Sequence, residues 1–312
     1  MTKKIINHVF SNNVKSLIFE HILEYHKKYR REHHEVIGSV NPIDNADVYV
    51  YHRPHLEKKL MENSIAIVHH DLNEFDPWFH LDKFEPRYRE AKYIACLNLT
   101  QKRILQERFF TNLKLIPHGY DDNIFKSRLA PKRYRKDKKV CIGIISKYYL
   151  RGVKGESSVI EIAKRLPTSH FEFILAGEGR GILNEQLLKF GFKSNHIDFL
   201  PYNEYDKIYN EIDFLLVTSF YEGGPANIPE AIATGTPVIT TPVGMARDLI
   251  SNGHNGVVLH GRYDDYAQLI IDSSTEENFN KLSENSLSSK HKILTWNAVI
   301  DNYSKIYDED FT

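Results

Sequence analysis

Two acidic side chains, Glu222 and Glu230, flank a glycine–glycine–proline turn in the part of the sequence that is richest in groups able to do chemistry, FYEGGPANIPEAIATGTPVITTPVGMAR. The pattern predicts a strand, the turn and then a helix. The unpaired N–H groups and the positive dipole end of such a helix start let an anion or a hydroxylated ligand approach Gly223, Gly224 and Ala226 closely. If the turn reverses the chain, both carboxylates face one pocket.

A second interpretation of this segment needs no ligand. Asn227 and Glu230 have the N-x-x-E spacing of a capping box. In a capping box the Glu230 carboxylate would only satisfy a backbone N–H group at the helix start. Both interpretations stay open on these residues alone.

The composition bounds the class of protein. The 312 residues are about twice the length of a typical domain and 41% of them are hydrophobic, so we expect two packed domains rather than a disordered chain. Lysine plus arginine and aspartate plus glutamate number 41 each, which leaves no global field to attract nucleic acid. We expect no secretory signal in the polar start, and no apolar run approaches the roughly 20 residues of a membrane span.

The two cysteines indicate the cellular compartment. Cys96 and Cys141 lie inside apolar, strand-like runs, which predicts buried thiols in the reducing cytoplasm. No Cys/His spacing is typical of a metal site, so we expect no metal.

The basic cluster HKKYRR at residues 26–31 ends an amphipathic helix. A solvated helix end and a weak peripheral contact with anionic lipid at the inner face of the membrane both fit it.

Short apolar runs alternate with longer amphipathic stretches, which predicts βα units around a parallel sheet, and the pattern occurs twice. The first series predicts strands over residues 4–10, 35–40, 47–51, 64–69, 93–97 and 113–117, and helices over 14–31, 56–62, 84–90 and 100–109. The second predicts strands over 140–145, 171–176, 197–200, 214–218, 237–240 and 256–259, and helices over 157–165, 182–190, 205–211, 228–233 and 245–251. Further helices are predicted over 266–273, 276–289 and 296–309.

These series predict an α/β protein with two Rossmann-like domains. We place the amino-terminal domain at residues 1–125, a basic linker at 126–139, the second domain at 140–292 and a terminal helix at 293–312. Open α/β sheets bind nucleotides outside the carboxyl ends of their strands, so we expect a ligand in a cleft between the domains. Fold class alone does not give the function.

The segment EGGPANIPE resembles the E-x7-E motif of the family 4 retaining nucleotide-sugar glycosyltransferases, which have the GT-B fold, and TGTPVITTPVG is similar to its usual continuation. Further similar segments occur in the expected order. IPHGYD has His118 where the family usually has asparagine, and AGEG supplies Gly177 and Glu178 in a loop similar to A-G-x-G. AIVHHD resembles the strand that places a histidine near the transferred sugar, and its position favours His70 over His69. The segment at the terminal helix resembles the family's helix that crosses back to the first domain.

Two segments depart from the family pattern. The family has an arginine and, five residues later, Lys-Gly after the first donor-domain strand, where the two cations hold the diphosphate. Here SKYYLRGVKG has Lys154 in place, but Tyr149 stands where the arginine is expected. Lys147 and Arg151 are both close enough to replace it, and we favour Arg151. The glycine-rich loop that many members have after the first strand is replaced by FSNNV, which indicates an unusual acceptor side.

The resemblance implies a metal-independent, retaining glycosyltransferase without a cofactor. It would move a hexose or N-acetylhexosamine from a UDP- or GDP-sugar to a glycan, lipid-linked or other hydroxyl acceptor in surface polysaccharide or glycoconjugate biosynthesis. The D-E-D sequence at residues 308–310 matches the D-x-D of metal-dependent transferases, but we place it in a frayed polar tail. A nucleotide-sugar epimerase of the same architecture and a non-catalytic nucleotide-sugar or glycan-binding protein are the alternatives.

The resemblance also implies residue roles. Glu230 would accept hydrogen bonds from the ribose hydroxyls, and Glu222 would orient the sugar. Arg151 and Lys154, with the amides near the glycine turn, would stabilise negative charge on the diphosphate. His70 would contact the donor sugar or position the acceptor hydroxyl. The other predicted donor-binding residues are Gly223, Gly224, Ala226, Asn227, Gly177, Glu178, Lys147 and His118.

Overall fold

The computed structural model describes residues 3–11 and 17–311 of the chain. The chain divides into two compact units, Met1–Gly119 with Leu294–Thr312, and Tyr120–Ile293. Each unit is built around one sheet of six parallel strands, as the two series of βα patterns predict. Among the described residues, none of the helices combines the length and the apolar character that a bilayer crossing requires.

The helices and strands alternate along most of the chain. In the first half they are β1 (Lys4–Val9), α1 (Leu17–Tyr29), β2 (His34–Ser39), β3 (Val48–Tyr51), β4 (Ser64–Ile67), α2 (Leu81–Glu90), β5 (Tyr93–Cys96), α3 (Leu99–Glu107) and β6 (Leu113–Leu115). In the second half they are β7 (Val140–Ile145), α4 (Glu156–Ala163), β8 (Phe171–Ala176), α5 (Gly181–Lys189), β9 (Lys193–Ile197), α6 (Tyr205–Glu211), β10 (Phe214–Val217), α7 (Asn227–Ala233), β11 (Val238–Thr240), α8 (Ala246–Leu249), β12 (Gly256–Val258), α9 (Tyr263–Ser273), α10 (Glu276–Ser288) and α11 (Trp296–Asp310).

The strand orders are those of doubly wound sheets. The first sheet has the order β2-β1-β3-β4-β5-β6, and the second has the order β12-β11-β10-β7-β8-β9. The central strands are buried on both faces, which explains why their sequences, such as VYVY and SIAI, are continuous apolar runs. Cys96 and Cys141 are buried in such strands, as predicted.

Two predicted elements are wrong. The helix predicted over residues 56–62 is only a 3-10 turn, Pro54–Leu56, because side chains from elsewhere bind the following backbone: Leu60 N donates to Glu90 and Met61 N to the Tyr51 hydroxyl. The strand predicted over 197–200 lies earlier, at Lys193–Ile197. This edge strand is largely polar and exposed, so it lacks the apolar pattern on which the prediction relied. The start of the helix predicted from residue 14 lies outside the described residues.

The basic stretch at residues 126–139 contains no helix or strand and lies in the second unit. Its Lys132 is buried, and its ammonium group donates to the carbonyl oxygens of Tyr209 (2.7 Å) and Ile212. Burial, with the charge of Arg128, lowers the pKa of Lys132 to about 7. The stretch is therefore tied to the region around α6.

The terminal helix α11 belongs to the first unit, which confirms the predicted return of the chain. Thr295 caps it by accepting a hydrogen bond from Ala298 N. Trp296 is buried and stacks on Tyr25 of α1, with the ring centroids 4.9 Å apart, so its role is packing. The predicted lipid-contact cluster starts in the same region, but His26 is buried against Tyr303 of α11.

Asp308 does not lie in a frayed tail, because it is inside α11 and fixes that helix to the start of β2. Its carboxylate accepts hydrogen bonds from Arg31 (2.6 Å), His33 (3.1 Å) and His34 (2.6 Å). Burial alone would raise the pKa of Asp308, but the hydrogen bonds from these residues hold it at about 2.

We expect Asp308→Asn to lower the free energy of unfolding by about 1–3 kcal/mol at pH 7, because charge-assisted hydrogen bonds are lost. The folded-state pKa lies below the ordinary value of about 3.9, so this stabilisation is present above pH 4 and is lost as the pH falls towards 2. Urea unfolding of wild type, Asp308→Asn and the exposed control Glu309→Gln measures it. Equal stability of Asp308→Asn and wild type at pH 7 would contradict the assignment.

Candidate functional site

The strand order of the second sheet places two loops side by side. The chain leaves β7 and β10 towards opposite halves of the sheet, and these neighbouring strands therefore form the switch point where open α/β sheets bind ligands. The loop after β7 carries Lys154 and the loop after β10 carries Glu222. Lys154 Nζ lies 2.5 Å from Glu222 Oε1, and the Ser219 hydroxyl donates to the same oxygen at 2.8 Å. Two residues predicted separately as site residues thus touch.

A glycine fixes the position of Lys154. Gly155 has a φ of +74° and caps α4, and a Cβ at this position would lie 1.9 Å from the carbonyl oxygen of Thr218. The Thr218 hydroxyl donates to the carbonyl oxygens of Lys154 (3.0 Å) and Gly155 (3.1 Å). The two loops are therefore held in register by backbone contacts that only glycine permits.

The glycine turn after Glu222 packs closely against the loop after β11. A Cβ on Gly244 would lie 2.8 Å from the carbonyl oxygens of Glu222 and Gly223, so the approach requires glycine. The helix α7 then begins at Asn227, with Ala226 as its N-cap. Asn227 Nδ2 donates to the Ile145 carbonyl oxygen at 2.8 Å, which ties the start of α7 to the end of β7.

Glu230 lies in the first turn of α7 and is buried. The hydroxyls of Tyr202 (2.7 Å) and Tyr209 (2.6 Å) donate to its two carboxylate oxygens. The capping box with Asn227 does not form, because the carboxylate accepts hydrogen bonds from these tyrosines instead of from a backbone N–H group. Burial raises the pKa of Glu230 to about 7, although both tyrosine hydrogen bonds lower it. The Glu230 carboxylate is thus held in one orientation as a hydrogen-bond acceptor. Its neighbours are tyrosine hydroxyls, whereas Glu222 is paired with the Lys154 ammonium.

The loop after β8 lies against the loop after β7. A Cβ on Gly177, where φ is +134°, would lie 2.4 Å from the Ser146 carbonyl oxygen, and Tyr148 N donates to the Glu178 carbonyl oxygen at 2.9 Å. The exposed carboxylate of Glu178 pairs with the exposed ammonium of Lys147.

The loop after β7 carries the two side chains that compete for the place of the family arginine. Both side chains are exposed; Lys147 pairs with Glu178, and Arg151 is nearer to Lys154 in sequence. Tyr149, which stands where the arginine is expected, lies with its ring centroid 5.6 Å from Lys154 Nζ. The structure thus brings three predicted cations into one loop, and the preference for Arg151 stays a prediction.

Arg180 holds these loops together, and the sequence analysis missed it. The side chain is 1% exposed. Its Nε donates to the Ser146 carbonyl oxygen at 2.6 Å, its Nη1 to Glu156 Oε1 at 2.8 Å and its Nη2 to the Ser146 hydroxyl. A cation at the start of a helix opposes the helix dipole. An arginine directly before the start of α5 is therefore a signal that could have drawn attention to it.

The predicted histidines of the first unit lie after β4 and β6. His70 is buried and stacks on Phe84, with the ring centroids 3.8 Å apart. Its Nε2 has no partner among the described residues. Burial, with the charge of Arg53, lowers the pKa of His70 to about 3, so the ring is neutral. His118 lies 5.8 Å from His69 between ring centroids.

His69, the alternative to His70, belongs to a chain of imidazoles. His8 Nδ1 lies 3.0 Å from His52 Nε2, and His52 Nδ1 lies 3.0 Å from His69 Nε2. Burial lowers the pKa of all three rings, so each hydrogen bond joins neutral partners. The chain reaches the carboxyl end of the first sheet, and the sequence analysis did not find His8 and His52 because they are far apart along the chain.

A family model described as Glycosyl transferases group 1 matches residues 130–288, about half of the chain. The chain belongs to this family. A curated relative in Methanocaldococcus jannaschii, named uncharacterized glycosyltransferase MJ1178, is 28% identical over 163 residues, which are 50% of this chain and 45% of that protein. This chain therefore spans about half the length of the relative.

Two solved structures are similar in fold to this group 1 glycosyl transferase. Sucrose-phosphate synthase from Thermosynechococcus elongatus superimposes with a TM-score of 0.76 over 99% of both chains, at 12% identity. Anabaena Alr3699/HepE, in complex with UDP and glucose, superimposes with a TM-score of 0.73 over 98% of this chain and 99% of its own, at 14% identity. The predicted GT-B fold class is confirmed.

We expect the stability of the protein to depend on the titration of Glu230. The folded-state pKa, about 7, is above the ordinary value of about 4.3, so the stability is fully present below pH 4 and is lost as the pH rises through 7. Glu230→Gln removes this loss and should be more stable than wild type by about 1–3 kcal/mol at pH 8. Thermal unfolding between pH 5 and 8, with the exposed Glu185→Gln as control, measures it. Parallel profiles for Glu230→Gln and wild type would show that the pKa of Glu230 is not raised.

We expect Arg180→Met to loosen the loop after β7. The variant leaves Glu156 without its buried cation, which should lower the free energy of unfolding by about 3–5 kcal/mol. Amide hydrogen exchange over residues 146–155 should accelerate more than in the rest of the second unit. Arg180→Lys should recover part of the protection, and the exposed Arg133→Met should behave as wild type. Unchanged exchange over 146–155 in Arg180→Met contradicts this role.

Proposed function

We propose that the protein is a retaining glycosyltransferase that binds a nucleotide-diphosphate sugar at the edge of the second sheet. The observation that carries the proposal is the contact of Lys154 with Glu222 at the switch point, next to the helix that holds Glu230. Lys154 supplies a cation for the phosphates, Glu222 a carboxylate for the sugar hydroxyls and Glu230 a carboxylate for the ribose hydroxyls. Together these groups match the three parts of such a donor. The family membership supports the same activity.

The ribose is the part of the donor that we assign to Glu230. Its carboxylate is held by two tyrosine hydroxyls and retains acceptor capacity for a diol. Because the neighbouring tyrosines fix its orientation, binding a ribose requires little rearrangement of the carboxylate. Tyr202 and Tyr209 are therefore positioning residues for this contact.

The diphosphate is the part that we assign to Lys154, with the backbone amides at Gly223 and Gly224 and with Arg151. The ammonium of Lys154 is neutralised by Glu222. A bound diphosphate offers more negative charge to the same ammonium, and Glu222 then becomes available to sugar hydroxyls. As the bond to the sugar breaks, charge develops on the phosphate oxygens that these groups already face. This electrostatic role needs neither a metal ion nor a protein nucleophile.

The acceptor side is assigned to the first unit, where His70 keeps a ring nitrogen without a partner among the described residues. We propose that this Nε2 binds a sugar or acceptor hydroxyl. In a front-face reaction the leaving phosphate takes the acceptor proton, so the neutral His70 only has to orient the hydroxyl. The acceptor is proposed to be a glycan or a lipid-linked sugar in surface polysaccharide or glycoconjugate synthesis.

A UDP-sugar is the preferred donor class. Anabaena Alr3699/HepE was solved with UDP-glucose, and Staphylococcus aureus TarM with UDP and α-GlcNAc-glycerol. GDP-sugars stay in the test as the second class, because the residues of the site do not distinguish the bases.

Calorimetric titration with UDP-glucose, UDP-N-acetylglucosamine and GDP-mannose tests the proposal. We expect one donor to bind, and Glu230→Ala to weaken it about tenfold or more through the lost ribose contact. Lys154→Ala should weaken the free nucleoside diphosphate by a similar factor while the nucleoside alone binds unchanged. The exposed variants Glu185→Ala and Lys189→Ala serve as controls, and addition of EDTA should change nothing.

The same titrations can contradict the proposal. Equal affinity of wild type and Glu230→Ala for the donor would refute the ribose assignment. Binding of no nucleotide sugar at all would instead favour a non-catalytic scaffold.

A further inference from the structure

A cavity separate from the proposed donor residues lies in the second unit, at the carboxyl ends of β10, β11 and β12. Its volume is about 560 Å³, which is within the range of roughly 300–1,000 Å³ for small-molecule sites. The lysine and the two glutamates of the proposed donor site are not among the described residues that line it. The loops after these strands contribute Ser219, Phe220, Thr241, Pro242 and Gly261.

The charged groups around this cavity are mostly cationic. Arg165, Arg247 and Arg262 line it together with one acid, Asp264, which leaves two positive charges in excess. Arg165 is neutralised by Asp264, with Nε 2.5 Å from the carboxylate, and by Glu161 at 2.9 Å. The excess therefore resides on the other two arginines.

These two arginines are exposed to the cavity rather than paired. Within the described part of the chain, no carboxylate lies within salt-bridge distance of the Arg247 or Arg262 side chain. Arg247 Nε donates to the Pro242 carbonyl oxygen at 2.5 Å, which anchors the guanidinium and leaves its Nη groups for a ligand. Guanidinium groups bind carboxylates and phosphates with paired hydrogen bonds.

The rest of the lining suits a hydroxylated ring. Tyr263, Tyr266 and Phe220 contribute aromatic surface, and the Tyr263 hydroxyl lies 3.4 Å from the Ser158 hydroxyl. Aromatic faces with a few hydroxyl groups present the apolar and polar surfaces that a ring with hydroxyl substituents requires. An anion without such a ring would leave this surface unused.

The cavity shares a wall with the proposed donor site. Ser219 lines it and also donates its hydroxyl to Glu222 at 2.8 Å. The Thr241 hydroxyl donates to the Ser219 carbonyl oxygen at 2.6 Å, so the loops after β10 and β11 form this wall together. A ligand in the cavity would lie directly behind the carboxylate that we assign to the transferred sugar.

We propose that this cavity is an accessory site for an acidic saccharide unit, a sugar that carries a carboxylate or a phosphate. Arg247 and Arg262 bind the anionic group, and the tyrosine and phenylalanine rings bind the sugar. Its place beside a sugar-transfer site rests on the proposed function, whereas the binding itself does not. The accessory site would let the enzyme select a glycan that contains acidic residues.

Protein-observed NMR titrations with glucuronate and with glucose 6-phosphate test this proposal, with glucose and inorganic phosphate as partial ligands. We expect at least one acidic sugar to bind more tightly than either partial ligand. The double variant Arg247→Gln/Arg262→Gln should weaken it tenfold or more, while the exposed Arg133→Gln leaves it unchanged. Lys154→Ala should not affect the acidic sugar, because that lysine belongs to the other site.

The outcomes separate this site from the donor site. If the double variant binds the acidic sugars as wild type does, or if Lys154→Ala abolishes their binding, the accessory site is refuted. Phosphate binding as tightly as glucose 6-phosphate would refute the saccharide part. Titration of UDP into the double variant measures nucleotide binding at the donor site independently of the acidic sugars. If UDP does not bind, the proposed function fails, whatever the result with the acidic sugars.

Discussion

The contact between Lys154 and Glu222 is the interaction on which the functional interpretation depends. It exists because β7 and β10 are neighbours although β8 and β9 separate them in the sequence. Both side chains are largely buried, with exposures of 18% and 14%, so neither charge could be held there alone without a large desolvation penalty. The close approach of Gly155 to Thr218 brings the two loops near enough for the pair to form, and Gly244 lets the loop after β11 pack against Glu222.

The two glutamates of the EGGPANIPE segment have different neighbours, and their carboxylates therefore have different properties. Glu222 accepts hydrogen bonds from the Lys154 ammonium and from the Ser219 hydroxyl. Glu230 faces two phenol groups in a buried position, where desolvation raises its pKa to about 7. We therefore propose the fixed Glu230 carboxylate for the ribose, and Glu222, which can exchange its ion pair for another partner, for the transferred sugar.

Much of this arrangement could be predicted from the sequence, because the information is local. The strands at residues 140–145 and 171–176 have the bounds that their apolar runs predict, and the helix at 205–211 does too. The strand, turn and helix predicted around the EGGPANIPE segment likewise occur in that order. These features depend on periodicity and on turn residues that are close in sequence.

The parts that could not be predicted depend on contacts between distant residues. Nothing near Arg180 shows that it binds Ser146 and Glu156, and nothing near Glu230 shows that Tyr202 and Tyr209 displace the capping box. The polar strand β9 was missed because an exposed edge strand has no apolar pattern. In each case tertiary structure overrides a local preference.

A crystal structure of the protein with UDP would show whether a nucleotide diphosphate binds at the edge of the second sheet. We expect the ribose hydroxyls within hydrogen-bonding distance of the Glu230 carboxylate and the diphosphate on Lys154, with the Lys154 to Glu222 contact lengthened. A nucleotide bound elsewhere on the protein, with Lys154 still paired to Glu222, would contradict it.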